Sequence, residues 1–278
     1  MEKIGLDDDS FRKILQFFKL SWQGYRRVRK GVKRRLAKHM VACGCRSVED
    51  YLQFLEKNGN ANRMARELLT VSISRFFRDI RLWEVMENCV IPKIVESMEN
   101  PGTETVHAWS AGCSCGEEVY SLKILWHSVR QKNPHLPPLK ILATDSNPEV
   151  LRKAQQGVYP QSSLKNLSPH AVNEAFVKAG RGFALCDQFK DRIDWKLHDF
   201  MGEPPPPQSF HMIFLRNNLL TYYEPPLQTH SLLAILSTLR PEGFLIIGQN
   251  ESLSPEAEFL HTCQACKCIF QRSTRHTP

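Results

Sequence analysis

The sequence lacks the motifs that mark several large classes of protein. It contains neither the G-x-G-x-x-G of dinucleotide-binding folds nor the G-x-x-x-x-G-K-[ST] phosphate loop, which disfavours both kinds of nucleotide site. The ten histidines form no H-x-x-x-H or H-E-x-x-H pattern, so metal catalysis has no support. No apolar run approaches the ~20 residues that a membrane-spanning helix needs. The first residues lack the basic-then-apolar layout of a signal peptide, so we expect a cytoplasmic protein.

Cysteine is present, but its spacing is not typical of disulfide or zinc proteins. Nine cysteines are an odd number in a chain without an export signal, which predicts reduced thiols. Only Cys263, Cys266 and Cys268 include a C-x-x-C, and no second C-x-x-C or histidine pair lies at a finger-like distance. The run Cys266–Arg272 instead alternates like a strand. We therefore predict no metal site.

Charge is concentrated in one part of the chain. The net charge is +8, and eight lysines and arginines lie within Arg26–Lys38 with no acidic residue among them. Val28, Val32 and Leu36 recur every four residues, which predicts an amphipathic helix with a basic outer face. Such a face attracts an acidic protein surface, nucleic acid or an anionic membrane. A charged face that is merely solvated is the alternative interpretation.

The stretch Val106–Ser121 indicates a ligand site. A strand-like run is followed by a small-residue turn with Gly112 and Gly116 and then by a predicted helix that begins at two glutamates. The next predicted strand, Leu139–Thr144, ends on Asp145, which suits a ribose diol. A nucleoside-type ligand is therefore expected. Glu117 and its neighbour Glu118 would repel a pyrophosphate and favour a cationic ligand such as S-adenosylmethionine, although two acids also suit the first turn of a helix.

The spacing of apolar residues predicts helices in the first part of the chain and an α/β region in the rest. Strands are predicted at Val106–Ser110, Leu139–Thr144, Phe210–Leu215 and Phe244–Ile247, with helices after Gly116, at Pro148–Gln156 and at Pro225–Leu239. Phe183–Leu185 and Ile193–Leu197 are interpreted as short antiparallel strands of an inserted subdomain. The predicted domains are a helical domain at 1–75, a linker helix at 76–101 that Pro92 kinks, and an α/β domain with a mostly parallel sheet at 102–278, in which 158–199 is the inserted β subdomain.

Several motifs in order resemble those of one family, the CheR chemotaxis receptor methyltransferases. Ser74-Arg-Phe-Phe-Arg-Asp79 resembles the family's T-x-F-F-R-[DE], and Trp109-Ser-Ala-Gly-Cys-Ser-Cys-Gly-Glu-Glu-Val-Tyr-Ser121 resembles W-S-A-G-C-S-T-G-E-E-P-Y-S. Further similar segments are Leu142–Asp145, Ala154-x-x-Gly157-x-Tyr159, Leu215-Arg-Asn217 and Gly248-Gln-Asn-Glu-Ser252. The resemblance spans most of the chain. It implies a Rossmann-like S-adenosylmethionine-dependent methyltransferase sheet that methylates glutamate carboxylates of chemoreceptors.

The same resemblance implies roles for individual residues. Glu118 would hold the ammonium of S-adenosylmethionine and Asp145 its ribose hydroxyls. The basic Arg26–Lys38 segment would dock acidic receptor helices, the chain would act as a monomer, and nucleic acid is not an expected partner. Tyr222 or Tyr223 would lie over the transferable methyl group. The remaining implied cofactor residues are Ser72, Ser74 and Arg78 from the linker, Gly112 in the turn, Asp199 and Phe200 near adenine, and Arg216 and Asn217 at the pocket floor.

The sequence departs from the family pattern most at Arg216–Glu224, Arg-Asn-Asn-Leu-Leu-Thr-Tyr-Tyr-Glu, where the family form is R-N-V-L-I-Y-F-D. The extra residue leaves open which tyrosine is equivalent. Two other functions therefore remain at this point: methylation of another acceptor, such as a small molecule or a nucleic acid, and cofactor sensing without turnover. Base-amino methylation is disfavoured, because no [ND]-P-P-[YF] follows Phe210–Leu215.

Overall fold

A computed structural model describes residues 6–71, 74–100 and 104–274. The chain forms two compact units, which we call the helical unit and the sheet unit. The helical unit consists of Met1–Ser72 together with Asn218–Gln228, and the sheet unit consists of Ile73–Asn217 and Thr229–Pro278. Ser72, one of the predicted cofactor residues, lies outside the described residues.

The helices follow one another closely in the first part of the chain and alternate with strands afterwards. They are α1 (Asp8–Phe17), α2 (Trp22–Tyr25), α3 (Arg29–Ala42), α4 (Val48–Lys57), α5 (Gly59–Leu69), α6 (Ile80–Val85), α7 (Ile91–Glu96), α8 (Glu117–Lys132), α9 (Pro148–Gln156), α10 (Pro169–Ala175), α11 (Leu219–Tyr222) and α12 (Pro225–Ser237). A π-helical turn, Met86–Val90, joins α6 to α7, and short 3-10 turns lie at Gln161–Leu164, Asp187–Phe189 and Pro255–Ala257.

The strands belong to two sheets. They are β1 (Val106–Ala111), β2 (Leu139–Asp145), β3 (Val158–Tyr159), β4 (Phe176–Ala179), β5 (Gly182–Leu185), β6 (Ile193–Leu197), β7 (Phe210–Leu215), β8 (Leu239–Ile247), β9 (Leu260–Cys263) and β10 (Cys266–Arg272). The large sheet has the order β6-β2-β1-β7-β8-β10-β9, and the small sheet has the order β3-β5-β4.

The helical unit forms where capping residues and apolar periodicity coincide. Asp7 caps α1 by accepting a hydrogen bond from the Ser10 N–H at 2.7 Å, and Ser47 caps α4 by accepting from the Asp50 N–H at 3.0 Å. Apolar residues at helical spacing then form one buried cluster, which includes Phe11, Ile14, Leu15, Val32, Leu36, Met40, Tyr51 and Leu55.

The segment 218–228 packs against these helices. The main-chain oxygen of Tyr222 accepts a hydrogen bond from the Ser21 N–H at 2.8 Å, and Tyr223 forms an antiparallel bridge with Leu20. A Cβ on Gly24 would overlap the main-chain oxygen of Thr221. Glycine therefore allows the two stretches to approach closely.

The large sheet is parallel from β6 to β8, and its strand order runs outward in both directions from β1. β1 pairs in parallel with both β2 and β7, so the order reverses between β1 and β7. The carboxyl ends of the parallel strands meet at one edge beside this reversal, which is where ligands bind in sheets of this type. β10 pairs antiparallel with β8, and β9 pairs antiparallel with β10 at the edge of the sheet. The predicted mostly parallel α/β fold is confirmed.

One predicted strand pairs differently from expectation. Ile193–Leu197 is a strand, but β6 pairs in parallel with β2 as an edge of the large sheet, not antiparallel within the inserted segment. The alternation Ile-Asp-Trp-Lys-Leu predicts a strand but does not say which strand it pairs with, because the partner depends on the path of the chain. Phe183–Leu185 does lie in the small antiparallel sheet, as part of β5.

Two features of the segment before β1 have clear causes. The helix predicted within 76–101 is present as α6 and α7, but it passes through a π-helical turn just before Pro92. Proline has no N–H to donate to the carbonyl four residues earlier and its ring crowds that carbonyl, so the regular pattern is interrupted there. Phe76 is fully buried and lies edge-to-face against Tyr159 and Phe176, with ring centroids 4.8 Å and 5.1 Å away.

In the part of the chain that is described, no helix is both long and apolar enough to cross a bilayer.

Candidate functional site

The turn between β1 and α8 is fixed by main-chain hydrogen bonds at the carboxyl edge of the sheet. The N–H groups of Gly112 and Cys113 both donate to the Thr144 oxygen at 2.8 Å. The Ser114 N–H donates to the Asp145 carboxylate at 2.8 Å. The turn after β1 is therefore tied to the end of β2.

Gly116 has two reasons to be glycine. Its φ of 85° lies in the left-handed region, and a Cβ there would lie 2.9 Å from the Ala154 Cβ and 3.0 Å from the Trp195 ring.

The turn also has the G-x-S-x-G spacing of a serine-hydrolase elbow. Ser114 has no histidine partner among the residues described, however, so the activating base of such a site is missing.

The side-chain carboxylate of Asp145 is buried but can still accept further hydrogen bonds. Besides the Ser114 N–H, it accepts from the Asn147 N–H at 3.0 Å, and only 8% of the residue is exposed. Burial raises the pKa of Asp145, the N–H groups oppose this, and the charge of Asp199 raises it further. Asp199 follows β6, and its carboxylate accepts from the Met201 N–H at 3.0 Å. The structure thus brings Asp145 and Asp199 together at the same edge, with Phe200 next in the chain and half-buried.

Glu118 lies at the centre of a buried polar network. Its Oε1 accepts from the Ser110 hydroxyl at 2.9 Å, and its Oε2 accepts from Arg216 Nη1 at 3.0 Å. Arg216 Nη2 also donates to Asp79 Oδ2 at 2.6 Å and to the main-chain oxygen of Arg78 at 3.3 Å. Three predicted site residues are therefore joined, and Asp79 is a member of the network that sequence reasoning missed. Its place directly after Arg78 in the linker motif is the signal that could have found it.

Glu117 is more deeply buried than Glu118 and points to different partners. It is 5% exposed, and in the described part of the chain its Oε2 has no hydrogen-bond partner. Burial raises the pKa of Glu117, and hydrogen bonds from Ser74 and Ser163 partly oppose that shift. Ser74, predicted as a cofactor residue, thus contacts Glu117. Nothing in the local motif distinguishes the two adjacent glutamates.

The two predicted tyrosines belong to the helical unit, not to the sheet unit that holds the other predicted site residues. The Tyr222 ring packs against Tyr25 with centroids 5.0 Å apart, and Gln228 donates its side-chain N–H to the main-chain oxygen of Tyr223 at 2.7 Å. Both tyrosines are half-buried against the apolar cluster of that unit. These contacts are packing contacts within the helical unit, and the role predicted for Tyr222 or Tyr223 over the transferable methyl group stays a prediction.

The basic segment divides into paired and unpaired side chains. Helix α3 begins at Arg29, later than the predicted helix, and buries Val32, Leu36 and Met40. Lys33 pairs with Asp8 at 2.8 Å, Arg29 pairs with the same carboxylate at 3.4 Å, and Arg35 donates to main-chain oxygens of residues 68 and 70. The remaining basic side chains are exposed and form no ion pair with the described residues; they are Arg26, Arg27, Lys30, Arg34 and Lys38.

Comparison with known proteins identifies the family. The family model "CheR methyltransferase, SAM binding domain" matches residues 72–269, which is most of the chain. The chain belongs to the CheR methyltransferase family. Its cofactor is S-adenosylmethionine, and the sequence-based predictions of family, fold class and cofactor are confirmed.

Named relatives agree with membership of the CheR methyltransferase family. The chain is 28% identical over 249 residues to chemotaxis protein methyltransferase 1 of Pseudomonas aeruginosa, covering 87% of this chain and 89% of the relative. It is 27% identical over 227 residues to the chemotaxis protein methyltransferase of Borreliella burgdorferi, covering 80% of each. A solved N-methyltransferase, NodS from Bradyrhizobium japonicum WM9 with S-adenosylhomocysteine, is 14% identical, covering 68% of this chain and 91% of that one with a TM-score of 0.34. The assignment does not depend on that weaker similarity.

The crevice of this CheR-family sheet fits its cofactor chemically. Glu118 and Asp145 place two carboxylates beside the reversal in strand order, and each can accept further hydrogen bonds besides those described above. A carboxylate attracts an ammonium or sulfonium cation and accepts hydrogen bonds from a ribose diol. Among the described residues, no group of three or more His, Cys, Asp or Glu side chains is arranged to hold a metal ion.

Proposed function

We propose that the protein transfers a methyl group from S-adenosylmethionine to glutamate carboxylates of chemoreceptor-type proteins and so forms methyl esters. The observation that carries this proposal is the set of unpaired cations on α3. Lys30, Arg34 and Lys38 are four residues apart, so they form one exposed row on the helix. Val32, Leu36 and Met40 are buried on the opposite side. An acidic helical partner would complement this row in charge and shape.

The cofactor would be held by the groups at the carboxyl edge of the sheet. In this proposal Glu118 binds the ammonium group and Asp145 the ribose hydroxyls. Asp199 and Phe200 lie where adenine binds, and Arg216 and Asn217 form the floor. The linker would contribute Ser72, Ser74 and Arg78, with Arg78 nearest the reacting methyl group.

Methyl transfer requires the protein mainly to position the cofactor and the acceptor. When bound, S-adenosylmethionine supplies a methyl group on a positively charged sulfur. A glutamate acceptor is already ionised at neutral pH, so no general base has to remove a proton from it. The residues of the chain therefore act by binding, orienting and excluding water, which by itself can lower a barrier substantially.

The direct test is methyl transfer to a purified receptor fragment. The protein would be incubated with S-adenosylmethionine labelled in the methyl group and with the cytoplasmic fragment of a chemoreceptor. A methyl ester is cleaved by mild base and releases volatile labelled methanol, whereas methylated amines and amides keep the label. We expect base-labile label that disappears when the receptor glutamates are replaced by glutamine.

Two controls separate the possible failures. The Asp145→Ala variant should transfer no label, because the proposed ribose acceptor is gone. Base-stable label, or label that moves to a small molecule or nucleic acid but not to the receptor fragment, would contradict the glutamate acceptor and leave the methyltransferase assignment intact.

A further inference from the structure

The segment Gly248–Ser252 follows β8 and contains a glutamate that the proposed function does not use. Glu251 Oε2 accepts two main-chain hydrogen bonds, from the Gly248 N–H at 2.6 Å and from the Asn217 N–H at 2.9 Å. Gly248 directly follows β8 and Asn217 lies two residues after the end of β7. A single carboxylate oxygen thus ties together the carboxyl ends of two neighbouring parallel strands.

Asn217 has a backbone conformation that needs such support. Its φ is 55°, in the left-handed region that asparagine tolerates better than most residues but that still costs free energy. The preceding residue, Arg216, is held by separate bonds to Glu118 and Asp79. The main chain at 216–217 is therefore fixed on one side by the Arg216 side chain and on the other by Glu251.

Gly248 allows the Asn217 side chain to lie over the end of β8. A Cβ on Gly248 would overlap the Asn217 side-chain amide nitrogen and would lie 2.7 Å from Glu251 Oε2. The φ of Gly248 is not in the left-handed region, so the requirement for glycine here is steric alone. The two motif residues, Gly248 and Glu251, therefore determine the position of one side chain.

We propose that Glu251 is a positioning residue of the cofactor site and acts through Asn217. Hydrogen bonds from main-chain N–H groups to a carboxylate are charge-assisted, which makes them stronger than neutral ones and suited to holding a strained residue. By fixing the Asn217 main chain, Glu251 sets where the asparagine side chain stands at the pocket floor. The inference rests on the proposed place of Asn217 in that floor and does not involve the methyl acceptor.

The test compares three glutamate variants of the full chain. Glu251→Ala removes both carboxylate oxygens, and Glu251→Gln keeps one oxygen that can accept a hydrogen bond. Glu258→Ala is the control, because Glu258 is an exposed glutamate a few residues further along the chain. Calorimetric titration with S-adenosylhomocysteine would be made well below the melting temperature of each variant. We expect Glu251→Ala to bind about tenfold more weakly or worse, Glu251→Gln to restore most of that loss, and Glu258→Ala to bind like the parent.

A second pair of variants shows whether the effect passes through Asn217. Gly248→Ala should weaken S-adenosylhomocysteine binding in the same way, because the added methyl group displaces the asparagine side chain. In an Asn217→Ala background, Glu251→Ala should add less than about a twofold further loss, since coupled residues are not additive.

Two results would overturn the inference. One is unchanged affinity in folded Glu251→Ala together with a lower melting temperature, which would mean a role in stability only. The other is full additivity of Glu251→Ala and Asn217→Ala. Neither readout uses a methyl acceptor, so failure of the glutamate-methylation proposal would leave this test unaffected.

Discussion

Arg216 Nη1 lies 3.0 Å from Glu118 Oε2, and this contact joins the end of β7 to the first turn of α8. The Arg216 side chain is 4% exposed and reaches Asp79 with its other terminal nitrogen at 2.6 Å. One guanidinium therefore neutralises two acids that would otherwise repel each other inside the protein. The same contact keeps Glu118 at the crevice, where we propose that it binds the cofactor.

Replacing Arg216 should destabilise the fold strongly. Arg216→Ala leaves Glu118 and Asp79 close together without a counter-charge, and breaking a buried pair in this way typically costs about 3–5 kcal/mol. We expect a loss of that size in the free energy of unfolding, measured by urea denaturation. Arg152→Ala, which removes an exposed pair with Glu149, is the matched control and should change stability little. Similar losses in the two variants would contradict the role of the network.

Asp145 should make cofactor binding depend on pH. Burial raises its pKa, so the carboxylate gains a proton at a higher pH than an ordinary aspartate does. The proposed ribose contact needs the ionised form, and S-adenosylhomocysteine affinity should therefore fall as pH is lowered through that raised pKa. Calorimetric titration across acidic to neutral pH would measure this. Asp145→Asn should bind about tenfold more weakly or worse and show a flatter pH profile.

Glu117 should make stability depend on pH in the opposite sense to most carboxylates. Its folded-state pKa is raised by burial, so its favourable contribution is present below the pKa of the unfolded chain and is lost as pH rises through the folded pKa. Glu117→Gln should therefore be more stable than the parent at slightly alkaline pH, and the difference should shrink toward acidic pH. Thermal melts at several pH values would show it.

The control for this measurement is Glu149→Gln, because Glu149 is exposed. It should give no comparable trend. A stability difference for Glu117→Gln that is the same at every pH would mean that the pKa of Glu117 is the same in the folded and the unfolded chain, which would contradict the raised pKa.

The cations on α3 should govern capture of the acceptor and leave the cofactor site unchanged. Changing Lys30, Arg34 and Lys38 to glutamate reverses the unpaired row without breaking an ion pair with the described residues. We expect kcat/KM for the receptor fragment to fall about tenfold or more at low salt, with less difference at high salt because surface charges are screened. Affinity for S-adenosylhomocysteine and the melting temperature should not change.

Arg29 and Lys33 are less useful probes, since both pair with Asp8. A better comparison is glutamate substitution of three exposed basic residues elsewhere in the helical unit, Lys19, Arg46 and Lys57. This control changes the net charge equally. Equal losses of kcat/KM in the two triple variants would show a general charge effect and remove the support for a specific docking row.

Much of the fold followed from local pattern. The helix Pro148–Gln156 and the strand Phe210–Leu215 have the predicted bounds, because their caps and apolar runs are contained in the segments themselves. The pairing of Ile193–Leu197 was wrong, since the partner of an exposed strand depends on which edge the chain reaches. The glycine turn, Asp145 and the basic segment were likewise visible as motifs.

The type and order of elements, the family and the residue types of the crevice could be predicted, because each depends on neighbours in the chain or on motif spacing. The partners of the buried side chains could not: Glu118 with Arg216, Glu117 with Ser74 and Ser163, and Glu251 with the strand ends. Spacing cannot distinguish two adjacent glutamates or find a bond between residues 34 positions apart. Those contacts exist because parallel strands bring their carboxyl ends to one edge.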